Sequence, residues 1–333
     1  MLCLKVHKSL GEEVRKKLLD AGMLEKGVKI GSEGEYLLIP VKSDTPDDLD
    51  FPLVERDLET FEEDVSDYTK VIHIPDELED LLPSSFEIIG DIAVIKIPDE
   101  LEGYEADIGE AIIEAHKNVN TVLEDKGVKG DYRVREVSVI AGEEKTSTVH
   151  KEYGAEFEID IAEAYFSPRL ATERWRVVNE VKSGERVLDM FAGVGPYSIL
   201  IGKYVDVEVV HAVDINPKAV ELLKKNVLKN KVQDKINVWE GDAADIAGQL
   251  DVDRIIMNLP HSSREFVGPA LESLDKGVIH YYEILPYKDI EKVKMDLLDD
   301  IDENGKKGRI IFEREVRTYS ATDVHMAFDI FID

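Results

Sequence analysis

From Arg186 to Leu285 the chain repeats one grammar: a short apolar strand, a turn carrying glycine or an acid, and then a helix. "RVLDMF" runs into "AGVGPYSILIGKYV" and "EVVHAVDI" into "NPKAVELLKKNVLKN", and the series continues through "INVWEGDA", "RIIMNLP" and "GVIHYYEIL". Strands that alternate with helices of this length predict a doubly wound parallel sheet, because each crossover helix must pack back onto a sheet face. The ending "RIIFEREVRTYSATDVHMAFDIFI" holds two alternating strands with no helix between them. It predicts an antiparallel C-terminal hairpin at the sheet edge. The fold class is α/β, a Rossmann-like doubly wound sheet preceded by smaller α+β domains.

Leu2 to Val6, Gly11 to Ala21 and Tyr36 to Val41 read as strand, helix and strand of a small α+β domain over residues 1–58. Residues 59–70 are rich in acids and read as a solvated linker or mobile helix. A middle α+β domain over 71–153 follows. In it "FEIIGDIAVIKIP" predicts a hairpin turning at Gly90-Asp91, and "YEADIGEAIIEAHKNV" predicts an amphipathic helix. "TVLED", "YRVREVSVIAG" and "STVHKEYGAEFEIDI" supply further strands. The last domain spans 154–333.

With 43% hydrophobic and 34% charged residues, the chain has the composition of a globular protein, and no apolar run reaches membrane-spanning length. The start "MLCLKVHKSLGEEVRKKLL" lacks the uninterrupted apolar core of a signal peptide, so a cytoplasmic protein without a membrane partner is expected. The single Cys3 excludes an intrachain disulfide and a cysteine-based metal cluster. Asp+Glu 71 against Lys+Arg 41 gives a net charge of -30, which repels nucleic acid at long range. Either the protein meets no polyanion, or it works in a high-salt cytoplasm where screening leaves local basic patches to decide binding. The acids concentrate between residues 43 and 82, whereas "GDYRVREV" and "SPRLATERWRVVNEVK" are locally basic.

Asp189 closes the first strand of the repeating region, and Ala192-Gly193-Val194-Gly195 makes a tight turn into the following helix. The third glycine of a dinucleotide fingerprint is replaced by Ser198, which argues against NAD. A helix N-terminus opposite a carboxylate suits a ligand with both a carboxylate and an amine, such as the methionine end of S-adenosylmethionine. Asp214 ends the second strand, where it can accept from both ribose hydroxyls, and Asp242 ends the third, where an adenine amino group can be bound. Taken singly, each is more often a helix cap. At three successive strand ends they predict a cofactor site, which Phe191, Ile215 and Ala243 complete from the same turns. Asn258 opens "NLPH" at the end of the fourth strand, beside the reactive methyl. Many methyltransferases of exocyclic amines carry Asn-Pro-Pro-aromatic there, so Asn-Leu-Pro-His suggests a different acceptor.

Seven stretches, "GDYRVREV", "IAGEEKTSTVHKEYG", "AYFSPRLATER", "LDMFAGVGPYSI", "AVDINPKAVELLKKN", "MNLPHSSREF" and "GVIHYY", cover residues 130 to 282 densely. They resemble one family, the archaeal and eukaryotic tRNA (guanine 37, N1) methyltransferases of the class I S-adenosylmethionine-dependent fold. "LCLKV" and "SEGEYLLIPV" resemble that family's N-terminal module. The resemblance implies an N-terminal domain that checks the outer corner of tRNA, a middle RNA-binding domain and a catalytic domain. It further implies tRNA as partner, through its anticodon loop and outer corner, and a monomeric enzyme. By the same resemblance Glu173 is the general base, Arg133 contacts the target guanine, Asn258 helps hold it and Arg174 lies near the cofactor. "TYSATDVH" departs from the family's "SYAP"-like pattern and leaves Tyr319 without a role.

The chemistry asks for these side chains independently. N1 of guanine carries a proton on its pairing edge, so the base must leave its stack and lose that proton before N1 can attack a methyl. Negative charge then spreads to O6, which suits a carboxylate, Glu173, near N1 and a guanidinium, Arg133, near O6. An amide such as Asn258 offers a purine edge both donor and acceptor. The displacement itself requires no metal; a part for Mg²⁺ in the RNA or in proton transfer is left open. Arg133, Arg135, Lys145, Lys151, Arg169 and Arg174 are expected to form a basic RNA path against an acidic back face, with Pro260 at the guanine. Blander readings stand beside these: Glu173 pairing with Arg176 or Arg169, Arg133 and Arg135 facing solvent, and Asn258 capping a turn. His261 reads equally as a solvent-facing residue or an RNA contact, and Trp175 and Tyr165 as core residues. Two rival functions remain. One is a wyosine-pathway tRNA enzyme that transfers an aminocarboxypropyl group or also methylates a tricyclic base. The other is a non-catalytic RNA-binding factor on the same fold.

Overall fold

β1 (Leu2–His7) buries Cys3, Leu4 and Val6, with Cys3 and Leu4 on opposite faces, because it is an interior strand. The order is β2 (Gly31–Glu33), β3 (Tyr36–Pro40), β1, β4 (Leu53–Glu55), all neighbours antiparallel. Helix α1 (Gly11–Asp20) turns Val14 and Leu18, one helical turn apart, into the core that Leu4, Val6 and Ile39 form. The expected strands and helix are present. β2 and β4 have three residues each, too few for alternation to mark them. In this computed structural model every residue is described except 26, 27, 44, 47–50, 59–66, 131 and 133. Most of the expected linker and Arg133 therefore lie outside the described residues. The chain divides into two units, Met1–Lys70 and Val71–Asp333.

The second unit begins with a single helical turn, α2 (Asp76–Glu79), and a four-stranded sheet. Its strands run in the order β5 (Glu87–Ile89), β6 (Ile92–Ile95), β7 (Thr121–Lys129), β8 (Val134–Gly142). The expected hairpin turns at Gly90, where φ is +59°. α3 (Glu105–Ala115) carries the chain from β6 to its parallel neighbour β7. A two-stranded ribbon follows, β9 (Ser147–Glu152) and β10 (Ala155–Asp160). It is joined by Tyr153 and Gly154, both at positive φ, the geometry that matches strand twist in a two-residue hairpin.

The repeating region supplies α4 (Ala171–Glu180), β11 (Arg186–Asp189), α5 (Pro196–Tyr204), β12 (Val209–Asp214), α6 (Pro217–Lys229) and β13 (Ile236–Glu240). It continues with α7 (Ala243–Ala247), β14 (Arg254–Met257), α8 (Val267–Glu272), β15 (Gly277–Pro286), α9 (Ile290–Glu303), β16 (Gly308–Thr318) and β17 (Asp323–Ile332). The seven-stranded order is β13-β12-β11-β14-β15-β17-β16. The first five strands are parallel, and β17 is antiparallel to both its neighbours. The C-terminal hairpin is thus present, with its second strand inside the sheet and its first at the edge. Burial explains the choice: β17 is buried at most positions, whereas β16 is largely exposed or half-exposed. Strand order reverses at β11, which opens a crevice at the carboxyl ends of β11 and β14.

One hydrophobic core runs from Ile89 and Leu123 through Phe157 and Val178 to Leu200, Ile256 and Tyr282. The expected border at 153/154 falls in the turn of the β9–β10 ribbon, and this core spans it. The ribbon is tied to α6 by two asparagines one helical turn apart. Buried Asn226 accepts from Glu158 N at 2.7 Å and donates to the carbonyls of Glu158 and Val194, each at 3.0 Å. Asn230 clamps Glu156 in the same two-way manner. These amides take the place of a neighbouring strand along the free edge of β10. Replacing Asn226→Ala strands three buried backbone groups, at about 1–3 kcal/mol each less whatever water recovers. A loss of about 2–4 kcal/mol is expected in denaturant unfolding of the second unit. A loss below about 0.5 kcal/mol would show that the clamp contributes nothing net.

Candidate active site at the carboxyl edge of the sheet

Asp189 ends β11 fully buried. Its Oδ2 accepts from the Ser198 hydroxyl at 2.7 Å, and its Oδ1 has no partner within the chain. Burial drives this carboxyl up to about 7; the Ser198 bond opposes the rise and the nearby Asp214 charge adds to it. Ser198, in the place of a third fingerprint glycine, thus anchors the acid. Gly195 opens α5 at φ +92°, and a Cβ there would lie 2.3 Å from Leu223 Cδ1, so the turn admits only glycine. Gly193, at φ +56°, donates its N–H to Asp214 Oδ2 at 2.7 Å, and Asn216 N–H donates to Oδ1 at 2.8 Å. Burial also raises the Asp214 carboxyl, against those two backbone bonds. Each Asp214 oxygen keeps a lone pair for a further donor.

Beside Asp214, Ile215 is 53% exposed, an apolar surface at the mouth of the crevice. Phe191 packs edge-on against Phe266. Asp242 is exposed and caps α7 through Ala244 N–H at 2.9 Å, so the commoner use of an acid at that position is realised here; Ala243 is buried behind it. At the end of β14, Asn258 Oδ1 is buried without a partner, so no turn satisfies it. The loop beyond is fixed by Ser263, whose hydroxyl donates to Met257 O at 2.9 Å, and by Pro260 O, which accepts from Ile284 N. Two buried unpaired oxygens, the Gly193–Gly195 turn and an open apolar shelf fit a ligand that brings an amine, a diol and a flat ring. Among the described residues no group of His, Cys, Asp or Glu is arranged to hold a metal ion. No described helix is long and apolar enough to cross a membrane.

Glu173, on α4, is buried. Its Oε1 accepts from Arg176 Nη2 at 2.7 Å and from the Tyr282 hydroxyl at 2.8 Å. Its Oε2 receives only a 3.2 Å bond from Arg176 Nε, with Arg314 Nη1 at 3.5 Å. Tyr282 lies one residue past the β14–β15 register pair Met257–Tyr281, which brings its strand position beside Asn258. One tyrosine therefore links the buried carboxylate to the strand end. Tyr197 bonds the same hydroxyl at 3.3 Å, and burial raises both phenols. Against the rim of Tyr282 stands buried His325, whose ring nitrogens are both unpaired and whose burial lowers it to about 4. Sequence reasoning passed over Tyr282 and His325, read Ser198 only as a missing glycine, and gave Arg176 only as a partner of Glu173, a pairing that is present. A signal was available in polar residues within strands that are otherwise apolar, as in "HYYEI" and "DVHMAFD".

The described residues of the expected basic path are all paired within the chain. Arg135 is held by Glu87 at 2.6 Å and Asp125 at 3.4 Å. Arg169 pairs with the same Glu87 at 3.0 Å, Lys145 with Asp91 and Glu143, and Lys151 with Glu156. Arg174 is buried between Glu152 and the Ser167 carbonyl, inside the unit rather than facing an open mouth. With so many surplus carboxylates, the cations have found partners within the chain. Tyr165 also departs from expectation: it is 46% exposed, with the Arg135 guanidinium 5.8 Å from its ring centre. Trp175, half-buried, stacks on Tyr153. His261 meets Tyr319 edge-on.

Residues 148–311 match the TRM5/TYW2 methyltransferase domain, 70–146 the TYW2 N-terminal domain and 3–50 the tRNA methyltransferase 5 N-terminal domain. The chain is 43% identical over 331 residues to tRNA (guanine(37)-N(1))-methyltransferase Trm5b of Pyrococcus abyssi, covering 98% of each. The crystal structure of that protein superposes with a TM-score of 0.79, at 42% identity over 100% of this chain and 99% of that one. A structure titled as the complex of aTrm5 and tRNALeu gives 0.69 at 35% identity over 100% of both chains. The tRNA(Phe) (4-demethylwyosine(37)-C(7)) aminocarboxypropyltransferase of Pyrococcus horikoshii is 32% identical over 77% of this chain and 92% of its own length.

Asp189 makes the ligand-free unit sensitive to pH. A carboxyl raised in the folded state costs nothing below its ordinary value of 3.8 and the full amount above about 7. Relative to Asp189→Asn, the wild type is expected to lose about 4 kcal/mol of stability between pH 4 and 7.5. Denaturant midpoints of both proteins across that range measure it. Parallel curves would mean that Asp189 is ordinary in its ionisation.

Proposed function

We propose, from the premise that this chain belongs to the TRM5/TYW2 methyltransferase family, that it methylates N1 of guanine 37 in tRNA, next to the anticodon. The match to guanine-37 N1 enzymes runs the full length and includes the tRNA methyltransferase 5 N-terminal domain over 3–50. The aminocarboxypropyltransferase covers a smaller share of the chain. Cytoplasmic location and a monomeric state belong to the same reading. So do the domains at 1–58, 71–153 and 154–333, the first two serving tRNA recognition.

S-adenosylmethionine, when bound, supplies the methyl group and a positive charge that disappears on transfer. Asp189 Oδ1, unpaired and backed by Ser198, suits its amine. Asp214, aimed by two backbone N–H groups, suits the ribose hydroxyls, with Ile215 and Phe191 against the adenine and Asp242–Ala243 at its amino edge. Arg174 serves at one remove by pinning the Ser167 loop to Glu152.

The observation that supports the chemistry is that Glu173 bonds the hydroxyl of Tyr282, whose strand position lies beside Asn258, where Oδ1 is unpaired. In this reading Asn258 orients the flipped guanine and Glu173 accepts the N1 proton. Oε2 is the oxygen for that task, since Oε1 already takes the short bonds. Arg133, by family resemblance, steadies the charge that develops on O6. Arg135, Lys145, Lys151 and Arg169 reach phosphate by exchanging their carboxylates for it, and Pro260 lines the guanine.

Glu173→Gln is expected to lower single-turnover methyl transfer by about 10²–10⁴ while cofactor affinity stays within about threefold. The assay uses unmodified transcripts with guanine or adenine at position 37, followed by mass analysis of the nucleosides. Undiminished single-turnover chemistry would remove Glu173 from the mechanism. An aminocarboxypropyl adduct would replace the proposed reaction by its wyosine-pathway relative, and no adduct at all would favour a binding factor.

A further inference from the structure

Behind Glu173 a chain of buried polar groups crosses the sheet, and the proposed reaction leaves it unused. Arg176, which bonds Glu173, also grips Asp329 of β17, through Nη1 to Oδ2 at 2.6 Å and Nη2 to Oδ1 at 3.0 Å. Asp329 Oδ1 is 2.6 Å from His280 Nδ1, and His280 Nε2 is 2.8 Å from Arg254 Nη1. Arg254 is in turn held by Glu185 at 2.7 and 3.0 Å. Glu173, Asp329, His280 and Arg254 are all at most 4% exposed.

The protons in this chain can be assigned from donor chemistry. A guanidinium only donates, so His280 Nε2 must present its lone pair to Arg254. His280 Nδ1 then carries the hydrogen and donates it to Asp329. Burial keeps the imidazole neutral, assisted by the two arginine charges against the pull of Asp329. Burial also presses on Asp329, but the bonds from His280 and Arg176 outweigh it and bring that carboxyl down to about 2. One guanidinium is therefore shared by two carboxylates, and only one of them, Glu173, also accepts from the Tyr282 hydroxyl. Were Arg176 paired with Glu173 alone, its whole charge would bear on the group that has to take up a proton.

We infer that Asp329, oriented by His280, is a positioning residue that shares Arg176 with Glu173, so that Arg176 fixes the Glu173 carboxylate without absorbing its charge. The inference rests on the proposed role of Glu173. Its expected signature is electrostatic. Asp329→Asn leaves Arg176 to Glu173 alone, so ionised Glu173 persists to lower pH and attracts a proton less. His280→Met keeps only a weak sulfur acceptor for Arg254 and removes the donor to Asp329, which throws more of the Asp329 charge onto Arg176 and loosens its hold on Glu173.

Single-turnover methyl transfer to guanine-37 tRNA is measured from pH 5 to 9 at saturating cofactor and tRNA, so that Asp189 is not the group seen. The other groups facing Glu173 are Arg176 on α4, Tyr282 on β15 and Arg314 on β16, with Tyr197 on α5 one hydroxyl further. Arginines do not titrate in this range, and burial raises both tyrosines. For Asp329→Asn the acid limb is expected to move to lower pH by about one unit, with the plateau down about tenfold and KM within about twofold. For His280→Met it is expected to move to higher pH. Asp329→Glu, which retains the charge, should keep the wild-type limb.

A network that only braces α4 against the sheet predicts slower or less stable variants with an unmoved limb, and that result overturns the inference. Should Asp329→Asn fail to fold, the direction of the His280→Met shift decides alone. Wild-type enzyme inactive on this tRNA would instead overturn the reaction proposed above.

Discussion

A strand with sheet neighbours on both sides and helices on both faces has no water to offer a side chain, so polar groups must lie at its end or find partners inside. β11, β12 and β14 take the first course. Their chemistry collects at Asp189, Asp214 and Asn258, where helix N-termini and glycine turns supply donors. β15 and β17 take the second: His280, Tyr282 and Asp329 bond to one another's partners and to arginines brought in from α4 and β14. The same scarcity of water that pushes the Asp189 carboxyl up to about 7 leaves its second oxygen without a partner in the chain.

Charge in this chain is arranged locally rather than spread evenly. A net charge of -30 would be expected to leave the lysines and arginines of the expected basic path with carboxylate neighbours, and Arg135, Arg169, Lys145 and Lys151 have one or two each. A phosphate that reaches them exchanges one anion for another. The gain per contact is then a difference between two pairs, smaller than the formation of a new one. Glu87 holds Arg135, Arg169 and the Ser167 hydroxyl together, so the loop before α4 and the edge strand β8 share a single carboxylate.

Much of this could be read from residues in order. The apolar strands from "RVLDMF" to "GVIHYYEIL", the glycine turn and the acids at three strand ends specify a doubly wound sheet with a ligand at its carboxyl edge, because period, turn chemistry and strand ends are local properties. The Gly90-Asp91 hairpin and the paired C-terminal strands were legible for the same reason. β2 and β4 were not, since three residues carry too little pattern, and the exposure of Tyr165 was not, since an aromatic in a loop gives no sign of which side it faces.

By itself, then, the sequence determined the class of fold, the turn that only glycine can make at position 195, and which acids close which strands. Tertiary structure alone decided that Arg176 would be divided between Glu173 and Asp329, residues 156 positions apart in the chain. It also decided that Arg174 would be buried against Glu152 and that the cations expected to face RNA would be taken up by carboxylates. The physical reason is one of range. Backbone preference and hydrophobic period act over a few residues, whereas an ion pair forms between whichever charges the finished fold leaves within about 4 Å and shields from water.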